Sequence, residues 1–573
     1  MKLAMFSVTL LLIFAVNAQG FAVVPSTLSS SSLRKTKAAF VSSVRGGDTG
    51  TVDGLVLSSS SSSSSTTSEA TIIDTSGIPS WESLESELEH FRSNVVEKEK
   101  PPLLTLYRDT NGWCPFCERV WVAIRAKGIP YQETTVSLQN KPEWYKQMVP
   151  SGLVPAVLFH GDDSNITSRN LVWESDAILY ALDEMFPDTP RLMKKNKQDV
   201  DEEFDAAMDM QNRLQSAGFK FAYAGRNETS TEEEKQKVRN DFESALDELD
   251  TAFGEQRQKL KNPNSNDGCF RLGSEFSGID AMMIPTLERW RYQLPLTENL
   301  DILENRIHLT KYFEHLDSFS PYSDRVAGDK YSWTATASQF LRYFGGGEDK
   351  PEVAAKIKRC DAAAKELEKE FINVNYQMNY VEDEDKDEED DRLMEILIKA
   401  AADAKTSSNE KELSNESIIK NINKTKNDQI SDERLFALEA VTKLISNHEA
   451  VVSDCVRDEP ISQKHIPRGT DKDTADLLLR HVASVLLQTA SLSLKPIIDN
   501  VADVVVQDSS NRRTQGAVAL KTVATRLSVP RDMGAPAAAL LREVLSIVAE
   551  DLLADEEVQT TVSTPTTVEK VLE

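Results

Sequence analysis

Two of the chain's five cysteines, Cys114 and Cys117, stand three residues apart in the stretch "NGWCPFCERV". Cysteines at this spacing can hold a metal, close a disulfide or do thiolate chemistry. A structural zinc site wants a second close pair of cysteines or histidines at ligand spacing, which the sequence does not contain, so no metal is assigned. Cys269, Cys360 and Cys455 are scattered, and a sparse, odd-numbered set argues against a disulfide scaffold. Redox or thiolate chemistry at Cys114 and Cys117 remains.

The surrounding pattern supplies elements to position that pair. Residues 103–107, "LLTLY", read as a buried strand, and residues 118–127 read as a helix ending at Gly128. Residues 131–137 alternate like a second strand, and residues 143–148 make a short helix. "PAVLF" and "NLVWE" form a hairpin around a polar loop, and residues 175–185 form a closing helix. The predicted order is β-α-β-α-β-β-α. It places Cys114 at a loop-to-helix junction, where unpaired backbone N–H groups and the helix dipole favour a thiolate. Pro115 suits the first helical turn because its missing N–H would have no partner there. Cys117 projects from the same face one turn deeper. It could resolve a mixed disulfide formed on Cys114, or it could be a small buried core residue. Arg119 beside Glu118 reads as an ordinary surface ion pair.

Taken together, "GWCPFCERVWVAIRAKGIPYQ", "NKPEWYKQMVPSGLVPAVLF" and "LVWESDAILYALDEMFPD" resemble the glutathione-binding domain of glutathione S-transferases, nearest the cysteine-type omega, lambda and dehydroascorbate reductase classes. The resemblance spans residues 103–187. It implies an α/β plus all-α architecture: a thioredoxin-like N-terminal domain over 95–190, then an all-helical transferase C-terminal domain over 195–347. It also implies glutathione as co-substrate and Cys114 as the nucleophile. Lys141 would pair with a glutathione carboxylate. Pro155 would be cis, leaving the Val154 backbone to pair with the cysteinyl part of glutathione. Glu174 and Ser175 would hold the γ-glutamyl group, which suits a helix N-terminus that welcomes a carboxylate. Taken singly, Ser175 would merely cap its helix and Glu174 would be a solvated turn residue. Cys117 departs from the transferase pattern and makes the C-P-F-C motif more like glutaredoxins, favouring disulfide reduction over conjugation. The loop 161–169 is a second departure.

The C-terminal half is helical by periodicity. Ser277 and Asp280 resemble the family's Ser-x-x-Asp box, a structural cap that starts a buried helix. Trp290 and Tyr292 on that helix read as core packing, and Cys269 as an inert core residue. Helices near Trp333 would close the domain. Residues 348–392 read as a helix followed by the acidic connector "EDEDKDEEDD". Residues 430–557 read as a helical extension of unknown role. It carries "RLFALEAVTKLISNH", "TADLLLRHVASVLLQTASLSL", "IIDNVADVVV" and "APAAALLREVLSIVAEDLL", and would pack on the transferase core or pair with another chain.

The first residues read as an address. Residues 1–20 have the charged start, apolar centre and small-residue exit of a signal peptide, and residues 21–77 read as a transit peptide with a Ser-rich linker. A signal peptide joined to a transit peptide, with Phe21 at the junction, resembles the two-part presequences of diatoms and related algae. That implies a plastid location, and the linker's composition puts the start of the folded protein near Ile78. Plain secretion is the alternative, with Asn165, Asn227, Asn415 and Asn423 as glycan candidates. The net charge of −27 makes nucleic acid an unsuitable partner, and no apolar stretch reaches membrane-spanning length. The expected activity is glutathione-dependent reduction of disulfides or glutathionylated substrates. Dehydroascorbate reduction and glutathione conjugation are the enzymatic alternatives, and a non-catalytic scaffold acting through the tail is the alternative of another class. A homodimer is a family expectation.

Overall fold

The computed structural model describes residues 78–95, 101–160, 170–195, 199–224, 231–260, 269–345, 347, 349–372, 432–455, 472–491 and 510–562. The presequence, the loop 161–169, the four sequons, the acidic run and the segment 497–506 lie outside the described residues. Among the described residues no helix is long and apolar enough to cross a membrane.

The N-terminal module runs β1 (Leu104–Asp109), α2 (Pro115–Ala126), β2 (Tyr131–Val136), α3 (Glu143–Met148), β3 (Ala156–Phe159), β4 (Leu171–Trp173) and α4 (Ser175–Met185); α1 (Trp81–Val95) precedes it. The strands form one sheet ordered β2-β1-β3-β4. β1 pairs in parallel with β2 and antiparallel with β3, which pairs antiparallel with β4. This is a thioredoxin-like sheet, in the element order the periodicities predict. β1 lies inside the sheet and is covered on both faces, so its polar residues Thr105, Arg108 and Asp109 are buried along with Leu104 and Leu106. The helix predicted from residue 118 opens three residues earlier, at Pro115. Its residues Val120 to Ile124 are all buried, because α2 lies between the sheet and the helices that follow.

Those helices are α5 (Glu202–Ala224), α6 (Glu232–Lys259), α7 (Gly278–Thr297), α8 (Ile307–Asp317), α9 (Ser320–Ser323), α10 (Lys330–Phe344) and α11 (Pro351–Ile372). α7 is the axis of this half and is buried almost continuously from Gly278 to Trp290. It starts where Asp280 accepts the backbone N–H and hydroxyl of Ser277, the N–H of Arg271 and the Tyr312 hydroxyl. Trp290 and Cys269 are core residues, whereas Tyr292 is only half-buried.

The extension consists of α12 (Asp432–Cys455), α13 (Lys472–Ser491), α14 (Ser510–Arg526) and α15 (Ala535–Val562). These helices build a second core, and α1 belongs to it rather than to the N-terminal module: Leu84 and Leu88 pack with Val441, Leu444 and Leu478. Trp81 donates to Asp476 at 2.8 Å and stacks on His448. The extension docks on the helices built around α7 and α10 of its own chain. Arg542 reaches Asp329 at 2.7 Å, Arg325 donates to the Pro530 carbonyl at 2.7 Å, and the Val529 N–H donates to Ser332.

One side chain makes this second core acid-sensitive. His481 is 6% exposed, and burial pushes its pKa down from 6.5 to about 4. Above pH 6.5 it is neutral whether folded or unfolded. Between pH 6.5 and 4 the unfolded chain takes up a proton that the folded chain refuses, so stability falls by up to about 1.4 kcal/mol per pH unit and levels off below that window. Hydrogen exchange in α13 of the full chain, compared with His481→Leu, checks this. The wild type is expected to lose protection from pH 6.5 to 5 relative to the variant, and parallel profiles would contradict it.

Candidate functional site

The sheet order brings four chain ends to one edge. The parallel strands β1 and β2 both finish there, the antiparallel β3 starts there, and β4 finishes there. The β1–α2 loop carries Cys114, the β2–α3 connection carries Lys141, the entry to β3 carries Val154 and Pro155, and the β4–α4 junction carries Glu174 and Ser175. Ala156 sits opposite both Tyr107 and Trp173, so Pro155 and Glu174 are neighbours across the sheet.

The loop before Cys114 is held from several sides. The Trp113 N–H donates to Asp109 Oδ2 at 2.7 Å, its carbonyl accepts from Arg289 at 3.1 Å, and its ring meets Phe340 edge-on. Gly112 has φ +68, and a side chain there would lie 2.9 Å from Pro530, so the loop needs glycine for its conformation and because the extension packs against it. Cys114 then takes the N-cap position of α2, with Pro115 in the first turn. Its sulfur lies 4.0 Å from the Val154 carbonyl, and the Val154–Pro155 peptide is cis. All five cysteines are free thiols, and Cys114 alone is half-buried while the other four are buried.

Cys117 is 1% exposed and packs with Val136, Tyr145 and Ala156. Burial pushes its thiol well up, and the neighbouring Cys114 and Asp109 push the same way. Asp109 is completely buried at the end of β1, and its Oδ1 has no hydrogen-bond partner. Burial raises its pKa, while the Trp113 N–H and Arg108 pull it back. Sequence spacing assigned no metal here, yet folding brings an oxygen of Asp109 and the two sulfurs within 4.8 Å of one another. Burial lowers the pKa of the half-buried Lys141, and Cys114 and Cys117 act in the opposite direction.

Glu174 is exposed and adopts φ 72, a conformation that a side chain other than glycine rarely takes and that marks a constrained position. Ser175 is buried, and its hydroxyl contacts Asp176. The N-cap position belongs to Glu174 and carries no side-chain cap bond, so Ser175 is not simply the cap of α4.

Arg119 and Glu118 do not form a surface ion pair. Arg119 is 5% exposed, donates to Gln215 at 3.2 Å, and lies 3.6 Å from Asp176 with its guanidinium over Phe116. Glu118 is also buried and accepts from Arg289 at 2.6 Å. Adjacent residues on a helix diverge by about 100°, so the two charges serve different partners. Asp109, Glu118, Arg119 and Arg289 were therefore missed as parts of the site. A charged residue closing an apolar strand was the available signal for Asp109.

Residues 113–185 match the family model of the glutathione S-transferase N-terminal domain. The chloroplastic glutathione S-transferase DHAR3 of Arabidopsis thaliana is 26% identical over 216 residues, covering 38% of this chain and 70% of that protein. The omega-1 glutathione S-transferase of Sus scrofa is 39% identical over 75 residues, 13% of this chain and 28% of that protein, so the chain spans about a quarter of that relative's length. The solved dehydroascorbate reductase of Chlamydomonas reinhardtii aligns over 47% of this chain and 99% of its own, with 17% identity and a TM-score of 0.28, a level that carries no inference. At the level of the superfamily, the chain's relatives are glutathione S-transferases, with dehydroascorbate reductase and omega-class proteins among them.

Proposed function

We propose that the protein is a glutathione-dependent thiol transferase that reduces glutathionylated substrates or disulfides through Cys114. The observation that carries this reading is the placement of one partly exposed cysteine on a helix N-terminus beside the Val154 carbonyl, where a peptide backbone can dock. Lys141, the backbone of Val154 before Pro155, Glu174 and Ser175 hold glutathione: the lysine on a carboxylate, Glu174 on the ammonium, and the start of α4 on the γ-glutamyl carboxylate.

The Cys114 thiolate attacks the glutathionyl sulfur of a mixed disulfide GS–S–R. The Cys114–glutathione disulfide forms, and the thiolate of R leaves and takes a proton from water. A second glutathione, as thiolate, attacks the glutathionyl sulfur, releasing oxidised glutathione and restoring Cys114. Burial of Cys117 favours glutathione over Cys117 as the resolving thiol. Dehydroascorbate is the second candidate oxidant, supported by the name of the Arabidopsis relative. The same relative's chloroplastic designation supports a plastid location, in line with the presequence. A homodimer is proposed on family grounds.

The test is turnover of the purified protein with glutathione and either a small glutathione mixed disulfide or dehydroascorbate. Glutathione-dependent reduction of at least one is expected. Glutathione binding without turnover of either would overturn the enzyme reading in favour of a binding protein acting through its extension.

A further inference from the structure

We propose that Asp109, Cys114 and Cys117 form a binding site for one soft divalent cation, with zinc as the fitting ion. The donor atoms come from three fixed places: the end of β1, the N-cap of α2 and the third residue of that helix. They lie within 4.8 Å of one another. A tetrahedral zinc with sulfur at about 2.3 Å and oxygen at about 2.0 Å needs donors roughly 3.5–3.8 Å apart, so an inward adjustment of at most about 1 Å closes the set. Two thiolates and one carboxylate suit zinc better than a hard cation, which would want oxygen donors throughout.

The second observation is the state of the aspartate. Asp109 is completely buried, Trp113 satisfies one of its oxygens, and Oδ1 has no hydrogen-bond partner. A buried carboxylate oxygen without a partner is costly, and a cation shared with the two sulfurs would remove that cost. Three protein ligands leave a fourth position on the side where Cys114 is half-buried, and an ion can enter there. An ion so held occupies Cys114. The site is therefore a reversible block on the thiol, set by zinc availability and independent of whether glutathione is the co-substrate.

The experiment is a zinc titration of the reduced full-length protein by calorimetry without oxygen, in excess magnesium so that the run from Glu382 to Asp391 is filled. One zinc per chain is expected. Affinity should fall about 100-fold or more in Cys117→Ser and at least about 10-fold in Asp109→Asn, and stay unchanged in Cys269→Ser. A readout on the wild type alone guards against variants that misfold: zinc should slow alkylation of Cys114 more than tenfold, and a chelator should restore it. Equal binding by wild type and Asp109→Asn would reduce the site to a bare dithiol and overturn the proposal, as would alkylation of Cys114 unaffected by saturating zinc. Turnover with glutathione is measured separately, so loss of either reading is visible without the other.

Discussion

Cys114→Ser is expected to lower glutathione-dependent reduction of a mixed disulfide by at least about a thousandfold while leaving the fold intact, because a hydroxyl cannot form the covalent mixed disulfide on which turnover depends. The residue is half-buried and caps no backbone group with its side chain, so the exchange removes little packing. Cys117→Ala gives the contrast. Its sulfur is enclosed by Val136, Tyr145 and Ala156, and burial holds it as a thiol. Activity within about threefold of wild type is expected, with a stability loss of about 1 kcal/mol for the small cavity. Rates with both variants, together with mass spectrometry of the Cys114–glutathione adduct, separate the roles. Accumulation of that adduct in Cys117→Ala at saturating glutathione would show that Cys117 resolves it and that burial is the wrong guide.

Much of this arrangement was legible in the sequence because its signals are local. The alternation of strand and helix periods gave the order of elements from residue 103 to 185, and "WCPF" put Cys114 on a helix start. Glu118 shows where local reading stops. Adjacent to Arg119 in the chain, it pairs instead with Arg289, 171 positions away. No window of sequence contains that contact. α1 is a similar case. Its apolar residues announce an amphipathic helix, but nothing near residue 81 shows that its partners are Asp476 and His448. The extension left two packing solutions open, and contacts such as Arg542 with Asp329 show it packed on its own chain.

Arg289 is where those long-range contacts meet, and its replacement by Met is expected to be the most destabilising single change near the site. It is 8% exposed. Besides Glu118 it donates to the Trp113 carbonyl at 3.1 Å and to the Pro285 carbonyl, and its guanidinium lies 4.2 Å from the centre of the Trp333 ring. It therefore joins α2, the loop before Cys114, α7 and α10. Glu288, 4.0 Å away, does not supply a second full charge. Burial, and then the neighbouring Glu118, push its carboxyl well up. Its Oε2 and Glu118 Oε1 are buried without a hydrogen-bond partner. Arg289→Met thus leaves a buried carboxylate without its cation, at a cost of about 3–5 kcal/mol. Glu118→Gln in the same chain should return part of that loss, because it removes the stranded charge, and the cycle of single and double variants measures the coupling. Turnover should fall with Arg289→Met even where the protein stays folded, since the Trp113 carbonyl that fixes the approach to Cys114 loses its donor. Urea unfolding of the full chain, with Cys114 alkylation as a probe of the loop, reads both effects. A loss below about 1 kcal/mol would place Arg289 among the dispensable surface charges, and an unchanged alkylation rate would free the Cys114 loop from its control.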